Sequence, residues 1–332
     1  NGRVWTKTQT IAMTKETQES SIEVLKELGF QPIRTAVRQS IAVVDKAKKG
    51  DRDIYISNWP RLNRHLLGGL QPGKLYIIAG RPGTGKSAFS NQLIFDVLDN
   101  AATLHKKVVI FYWSFEMPGY QQILRSASKD TGKQMSDLYS VDKVLAEPDF
   151  QTFIQSVSKY VKYPVYFQNR PKDISFIESA CEKFTARSPD VQIINLIDHT
   201  RLVPGEEDIE MKRLNSLSKG CMRMQANMGT INLLLSQLNR NIEKEDRAKN
   251  QYQPMLSDLF GGDSIGQDAH VVMMIQRPHD LYGITARYAG EDPRGLMAVH
   301  LEKNRDGILG MIPFDFDGAK FTITERKSKP KK

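Results

Sequence analysis

Short apolar runs and amphipathic stretches alternate along most of this chain, with turn residues between them. The run Leu75-Tyr76-Ile77-Ile78-Ala79 has the length and β-rich composition of a buried strand. Lys107 to Phe115, Tyr163 to Gln168, Val191 to Asp198, Thr230 to Ser236, Val271 to Ile275, Met297 to Glu302 and Ile308 to Phe314 read the same way. Between them, Gly119 to Asp130, Leu145 to Tyr160, Ile174 to Arg187 and Ile209 to Met228 carry helical spacing. Strand–helix alternation through the first half predicts an α/β fold whose mainly parallel sheet is covered on both faces. The last two strands, joined around Asp306-Gly307, predict an antiparallel hairpin at one edge.

The N-terminal part follows a different pattern. Residues 1–20 are rich in Thr, Gln, Ser and Lys and are expected to be loosely attached. From Ser21, Ile22, Leu25 and Leu28 fall on one helical face, closed by Gly29. Arg34 to Lys49 places Ala36, Val37, Ile41, Val44 and Ala47 on a stripe, ended by Gly50. A short amphipathic helix needs an apolar surface to cover, either on its own domain or on a neighbouring subunit. The expected division is a tail and linker-helix region at 1–52, one α/β domain at 53–325 and a basic tail at 326–332.

Directly after the first strand comes Gly80-Arg81-Pro82-Gly83-Thr84-Gly85-Lys86-Ser87, a full match to G-x-x-x-x-G-K-[ST], continued by Ala88. A strand before it and a helix after it are the context a phosphate-binding loop requires. The glycines let successive backbone N–H groups point inward at phosphate oxygens, and the opening helix adds its unpaired N–H groups. Lys86 is then expected on the β- and γ-phosphates of a nucleoside triphosphate, and Ser87 on Mg²⁺.

Composition narrows the picture. With 332 residues, 40% apolar and 26% charged, the chain has ample length for a buried core. No apolar run approaches the ~20 residues needed to span a bilayer, so no membrane partner is expected. The start at Asn1 lacks both an initiator Met and the apolar segment of a signal peptide, so the natural chain is expected to extend upstream. Cys181 and Cys221 lie 40 residues apart without a histidine cluster, as befits buried thiols in a reducing, cytoplasm-like compartment rather than zinc ligands. The formal net charge of +9 points to a polyanionic partner, although Lys327, Lys329, Lys331 and Lys332 of the tail supply part of it.

Hydrolysis of a phosphoanhydride also needs a carboxylate for Mg²⁺, a group that positions or deprotonates water, a γ-phosphate sensor and neutralising cations. Asp198, ending the apolar strand Ile193-Ile194-Asn195-Leu196-Ile197, is placed as the Mg²⁺ carboxylate. Glu116 follows the strand Val108–Phe115 and can act on water, or can be a helix N-terminal charge. Gln237 ends the strand Ile231–Ser236 and can bond both a γ-phosphate and the next loop. Lys303-Asn304-Arg305-Asp306-Gly307 sets two cations at a hairpin tip, where a solvated basic turn is the plain alternative.

Five blocks together resemble the C-terminal motor domain of DnaB-type replicative DNA helicases, which have a RecA-like core. They are the P-loop from Gly80, Trp-Ser-Phe-Glu-Met-Pro from Trp113, the strand ending at Asp198, Leu-Leu-Ser-Gln-Leu-Asn-Arg from Leu234, and Lys-Asn-Arg-Asp-Gly from Lys303. Ser257-Asp258-Leu259 and the stretch from Ser264 add to the likeness, which runs from about Ile54 to Phe316. It implies a RecA-like fold and an ATP- and Mg²⁺-dependent helicase motor. The motor would be a homo-hexameric ring moving 5′→3′ on single-stranded DNA, with ATP between subunits. By the same resemblance Glu116 is the catalytic carboxylate, Gln237 the phosphate sensor, and Lys303 and Arg305 the cations that reach a neighbour's γ-phosphate. A primase and a helicase loader are implied as partners, and a bacterial cytoplasm, or a host cytoplasm for a phage-encoded form, as the location. The family's linker helix is similar in position to Thr35–Lys49, which favours docking on the adjacent subunit.

One departure falls where the family has Arg-Glu-Ser-Gly in a loop facing DNA, because this chain has Phe260-Gly261-Gly262-Asp263. Backbone N–H groups of Gly261 and Gly262 are then the expected phosphate contacts, with Arg240, Lys244 and Arg247 nearby. Their interleaving with Glu243, Glu245 and Asp246 makes a solvated loop the competing reading. Two alternatives remain for the whole chain: another RecA-like ATPase of recombinase or clock type, or a ring scaffold that only holds nucleotide.

Overall fold

The structure, a computed structural model, describes residues 23–50, 52–139, 144–205, 207 and 209–327. The expectations for residues 1–20, for Ser21 and Ile22, and for the tail beyond Lys327 fall outside these residues. The chain divides into two compact units, the first ending at Asp53 and the second beginning at Ile54. In the first, residues 23–27 are helical and helix α1 spans Ile33–Lys48, ending near the Gly50 that the sequence marks as its stop.

In the second unit, among the described residues, nine strands form one sheet. They are β1 (Leu75–Gly80), β2 (Val108–Ser114), β3 (Val165–Gln168), β4 (Gln192–Asp198), β5 (Ile231–Gln237), β6 (Val271–Gln276), β7 (Leu296–Asn304), β8 (Gly310–Asp317) and β9 (Thr322–Glu325). Their order is β3-β2-β4-β5-β1-β6-β7-β8-β9. Pairing is parallel from β3 through β6 and antiparallel from β6 through β9. This is the α/β fold with an antiparallel edge that the sequence predicts. Strand β9 lies outside the apolar runs read as strands, because its Thr-Ile-Thr-Glu has one buried face only.

The helices that cover the sheet are α2 (Lys86–Thr103), α3 (Gly119–Thr131), α4 (Glu147–Ser158), α5 (Ile174–Arg187), α6 (Glu210–Met228) and α7 (Gly262–Asp268). Alternate residues of each central strand enter two separate cores, since successive side chains point to opposite faces. Tyr76 and Ile78 of β1 join Phe89, Leu93 and Val97 of α2 on one face. Leu75 and Ile77 join Ile177 of α5 and Leu214, Leu217 and Met224 of α6 on the other. Burial on both faces is why these strands read as continuous apolar runs rather than alternating ones.

Two asparagines interrupt that rule, and both are paired. Asn195 on β4 and Asn232 on β5 stand in register, with the Asn195 amide donating to Asn232 Oδ1 at 2.9 Å. The Trp113 indole N–H donates to Asn195 Oδ1 at 3.0 Å. Cys181 and Cys221 are both buried, free thiols, with Cys181 against Asn195. Burial pushes the Cys181 thiol up to about 11, which makes it inert packing. Among the described residues no helix is long and apolar enough to cross a membrane.

Candidate nucleotide-binding site

Strand β1 lies in the middle of the sheet, with β5 and β6 on its two sides, and the loop Arg81–Gly85 leaves its carboxyl end. In doubly wound sheets this edge is where ligands bind. A Cβ on Gly80 would lie 2.5 Å from Thr84 Oγ1 and 2.8 Å from the Ile275 carbonyl, so only glycine lets the loop fold this close to β6. Gly85 caps α2 at φ 93°, a left-handed conformation that L side chains avoid. The Thr84 hydroxyl donates back to Arg81 O at 2.8 Å, closing the turn from inside.

Lys86 opens α2, and its ammonium donates to Gly80 O at 2.9 Å and Arg81 O at 3.2 Å. Burial lowers its pKa to about 8, against the opposing pull of Asp198 and Glu116. Asp198 ends β4 at 1% exposure and stands in register with Ser114 of β2. Burial raises its carboxyl to about 6 against the hydrogen bond from Ser87. One Asp198 oxygen, Oδ2, has no hydrogen-bond partner among the described residues. A buried carboxylate with an unpaired oxygen beside a hydroxyl is the hard oxygen set that Mg²⁺ takes, so Ser87 and Asp198 fit that ion.

A cleft of about 300 Å³ opens over the loop and is lined by Pro82, Gly83, Gly85, Lys86, Ser87, Ala88, Glu116 and Gln237 among others. Glu116 is exposed at its mouth, two residues past the end of β2. Gln237 is set by β5, where it stands in register with Gly80. The structure thus brings the P-loop, Glu116, Asp198 and Gln237 to one edge from four different strands.

The side chains of several expected residues make their contacts off the cleft lining. The Arg81 side chain turns to the segment after β5, donating to Glu243 Oε1 at 2.7 Å and Leu238 O at 3.0 Å, and Thr84 is buried. Both hold the loop and neither lines the cleft. Lys303 and Arg305 also lie off the cleft lining. Lys303 Nζ donates to Gly266 O at 2.9 Å and Gln267 O at 2.6 Å, and Arg305 Nη2 to Gln267 O at 2.7 Å. Two cations therefore sit on the carbonyl end of α7, where the helix dipole favours positive charge.

Two of the expected DNA contacts need correction. Arg247 is bidentate on Asp258, at 2.9 and 2.8 Å, and donates to Gln253 O at 2.6 Å. With side chains 11% and 2% exposed, this pair is an internal brace and presents nothing to a backbone phosphate. Gly261 is buried at φ 77°, and a Cβ there would lie 2.6 Å from Leu214 Cδ1, so packing under α6 explains the glycine. Gly262 opens α7, and Arg240 and Lys244 are exposed.

Other cleft residues had little signal in the sequence. His199 follows Asp198 directly, and its Nε2 lies 3.8 Å from Glu116 Oε2. Burial lowers the imidazole pKa, against the opposing pull of Glu116. Arg277 directly follows β6, beside the end of the P-loop strand, and this position after a strand is the available clue. It donates to Gly83 O at 3.3 Å and lies over the Phe316 ring. Arg125 on α3, over the Phe321 ring, and both phenylalanines come from distant sequence and carried no local mark.

The sequence profile of the DnaB-like helicase C-terminal domain matches residues 57–325. This chain belongs to that family. Among its relatives, the replicative DNA helicase DnaB of Buchnera aphidicola (Schizaphis graminum) is 26% identical over 88% of this chain and 60% of its own length. The DnaB of Rickettsia bellii is 25% identical over 92% and 65%. The replicative DNA helicase DnaC of Bacillus subtilis is 24% identical over 95% and 67%. The chain thus spans roughly two thirds or less of the curated relatives it matches. The fold is shared with a separately solved ATPase domain, with a TM-score of 0.75 at 19% identity over 88% of this chain and 99% of that one. It is also shared with a DnaB-like replicative helicase studied for its interactions with primase, with a TM-score of 0.72 at 20% identity over 93% and 72%.

Proposed function

We infer that this chain is the ATP-hydrolysing motor of a replicative DNA helicase, working as a homo-hexameric ring on single-stranded DNA. The observation that carries this reading is the meeting of P-loop, Glu116, Asp198 and Gln237 at one sheet edge in a member of the DnaB-like family.

Each residue has a role its position supports. The N–H groups of Gly83 to Ser87 and the start of α2 bind phosphate oxygens, and Lys86 exchanges its two loop carbonyls for the β- and γ-phosphates. Mg²⁺, held by Ser87 and Asp198, supplies charge neutralisation when bound. Glu116 positions water for attack and takes its proton, with the His199 imidazole 3.8 Å from its carboxylate. The Gln237 amide meets the γ-phosphate. Lys303 and Arg305, absent from their own cleft, serve the neighbouring subunit's nucleotide and leave the carbonyls of α7 to do so. Arg240, Lys244 and the backbone at Gly262 face the DNA strand, which moves 5′→3′ through the ring. The α1 helix docks on the adjacent subunit. Primase and a loader are its partners, in a cytoplasmic compartment.

The test is ATPase rate per chain against protein concentration, with and without single-stranded DNA, for wild type and Arg305→Ala. A rate that rises with assembly, is stimulated by DNA and collapses in the variant supports the ring motor. A rate indifferent to all three overturns it.

A further inference from the structure

Arg201, in the turn after β4, touches three separate elements. Its Nε and Nη2 grip the Glu210 carboxylate at the start of α6, at 2.5 and 3.3 Å. Its Nη1 donates to the side-chain oxygen of Gln237 at 3.4 Å. Its guanidinium lies over the Phe260 ring, 4.6 Å from the centroid. Phe260 is itself laced to the same strand end, its N–H donating to Gln237 O at 2.9 Å, while Leu238 and Leu259 form an isolated antiparallel bridge. Beyond Phe260 the chain enters Gly261 and α7.

A primary amide has one accepting and one donating end, and an arginine has donors only. Wherever Arg201 meets Gln237, the amide oxygen must turn toward it, and the NH₂ group is left for the other side. A phosphate oxygen requires a donor. We propose that Arg201 is a positioning residue that fixes the flip of the Gln237 amide, so that the cleft meets a hydrogen-bond donor rather than a repelling oxygen. The inference rests on Gln237 being the γ-phosphate sensor. It adds the group that makes the sensor selective, and it joins that group through Phe260 to the loop before α7. The fork on Glu210 and the ring of Phe260 hold the guanidinium in plane, and the 3.4 Å bond to Gln237 is the longest of its hydrogen bonds.

The experiment is a double-mutant cycle on the full chain, reading the ratio of affinities for Mg²⁺ with a non-hydrolysable β,γ-imido analogue of ATP and for Mg²⁺ with ADP. Arg201→Ala should lower that ratio about tenfold, the loss expected for one hydrogen bond to a charged oxygen. Gln237→Ala should lower it equally, and the two together should lower it no further, since Arg201 acts only through the amide. Arg201→Lys, which keeps charge but loses the planar fork, should recover little. Full additivity, or an unchanged ratio in Arg201→Ala, overturns the proposal while leaving the sensor in place. An unchanged ratio in Gln237→Ala overturns the sensor and the proposal with it. Should Arg201→Ala fail to fold, Phe260→Leu carries the same test: a lowered ratio restored in Phe260→Trp supports the device, and an unchanged ratio overturns it.

Discussion

At the nucleotide cleft, ionisable groups face one another across a shared space. Lys86 and Asp198 are each buried far enough to move their pKa values toward neutrality, to about 8 and about 6. A few strands away, where β7 meets α7 and the loop after β5, charged groups are bound to their own chain. Lys303 and Arg305 rest on backbone carbonyls, and Arg247 is locked to Asp258. The first region gathers its groups from four strand ends of one chain. The second holds cations that either brace the fold or wait for a ligand that another subunit brings, and the two cases are separable by experiment.

The sharpest break in that comparison is Arg305→Ala. If Arg305 serves a neighbour's nucleotide, steady-state ATPase of the assembled ring falls about 10³-fold or more. If it only caps α7, the rate holds and thermal stability drops slightly. Glu116→Gln should cost about 10²–10⁴-fold in turnover while equilibrium ATP binding and ring size, read by fluorescence and light scattering, stay normal. Near-normal ATPase would place the catalytic carboxylate elsewhere.

Arg247→Ala should act on stability instead of on DNA. Leaving Asp258 buried without its partner costs about 3–5 kcal/mol, measurable as a lower urea midpoint. A stable variant with weakened DNA binding would return Arg247 to the DNA-facing residues.

His300 is a buried titratable group with no role in the cleft. It is 6% exposed, bonded to Tyr288 at 2.9 Å, and burial lowers its pKa to about 4 from 6.5. A depressed histidine contributes stability that is fully present above pH 6.5 and is lost as pH falls through 4. At 1.36 kcal/mol per unit the loss is on the order of 3 kcal/mol at most. The dependence of denaturation midpoints on pH between 7 and 4 should therefore flatten in His300→Gln. The smallest effect belongs to the exposed pair Arg240→Ala and Lys244→Ala. Each should weaken single-stranded DNA binding uniformly across sequences and reduce the salt slope by about 1.

These contrasts track what was readable beforehand. The cleft's P-loop, Glu116, Asp198 and Gln237 each follow an apolar strand, so periodicity and one motif locate them without knowledge of strand order. Arg125, Phe316 and Phe321 reach the same cleft from α3 and from the antiparallel edge, and only the tertiary fold brings them there. The basic run from Arg240 to Lys249 reads as a uniform charged loop. Folding separates Arg247, turned inward onto a buried aspartate, from Arg240 and Lys244, which stay exposed.

The sequence by itself determined the α/β alternation, the two-faced burial of the central strands and the phosphate-binding loop, because each depends on residues close together in the chain. The tertiary structure decided which charges are working groups and which are braces. That choice rests on partners outside each residue's own element: Asp258 for Arg247, Glu243 for Arg81, the end of α7 for Lys303 and Arg305, and Gln237 and Phe260 for Arg201. A charged side chain is satisfied by whichever donor or acceptor the fold sets beside it, and no local pattern encodes that neighbour.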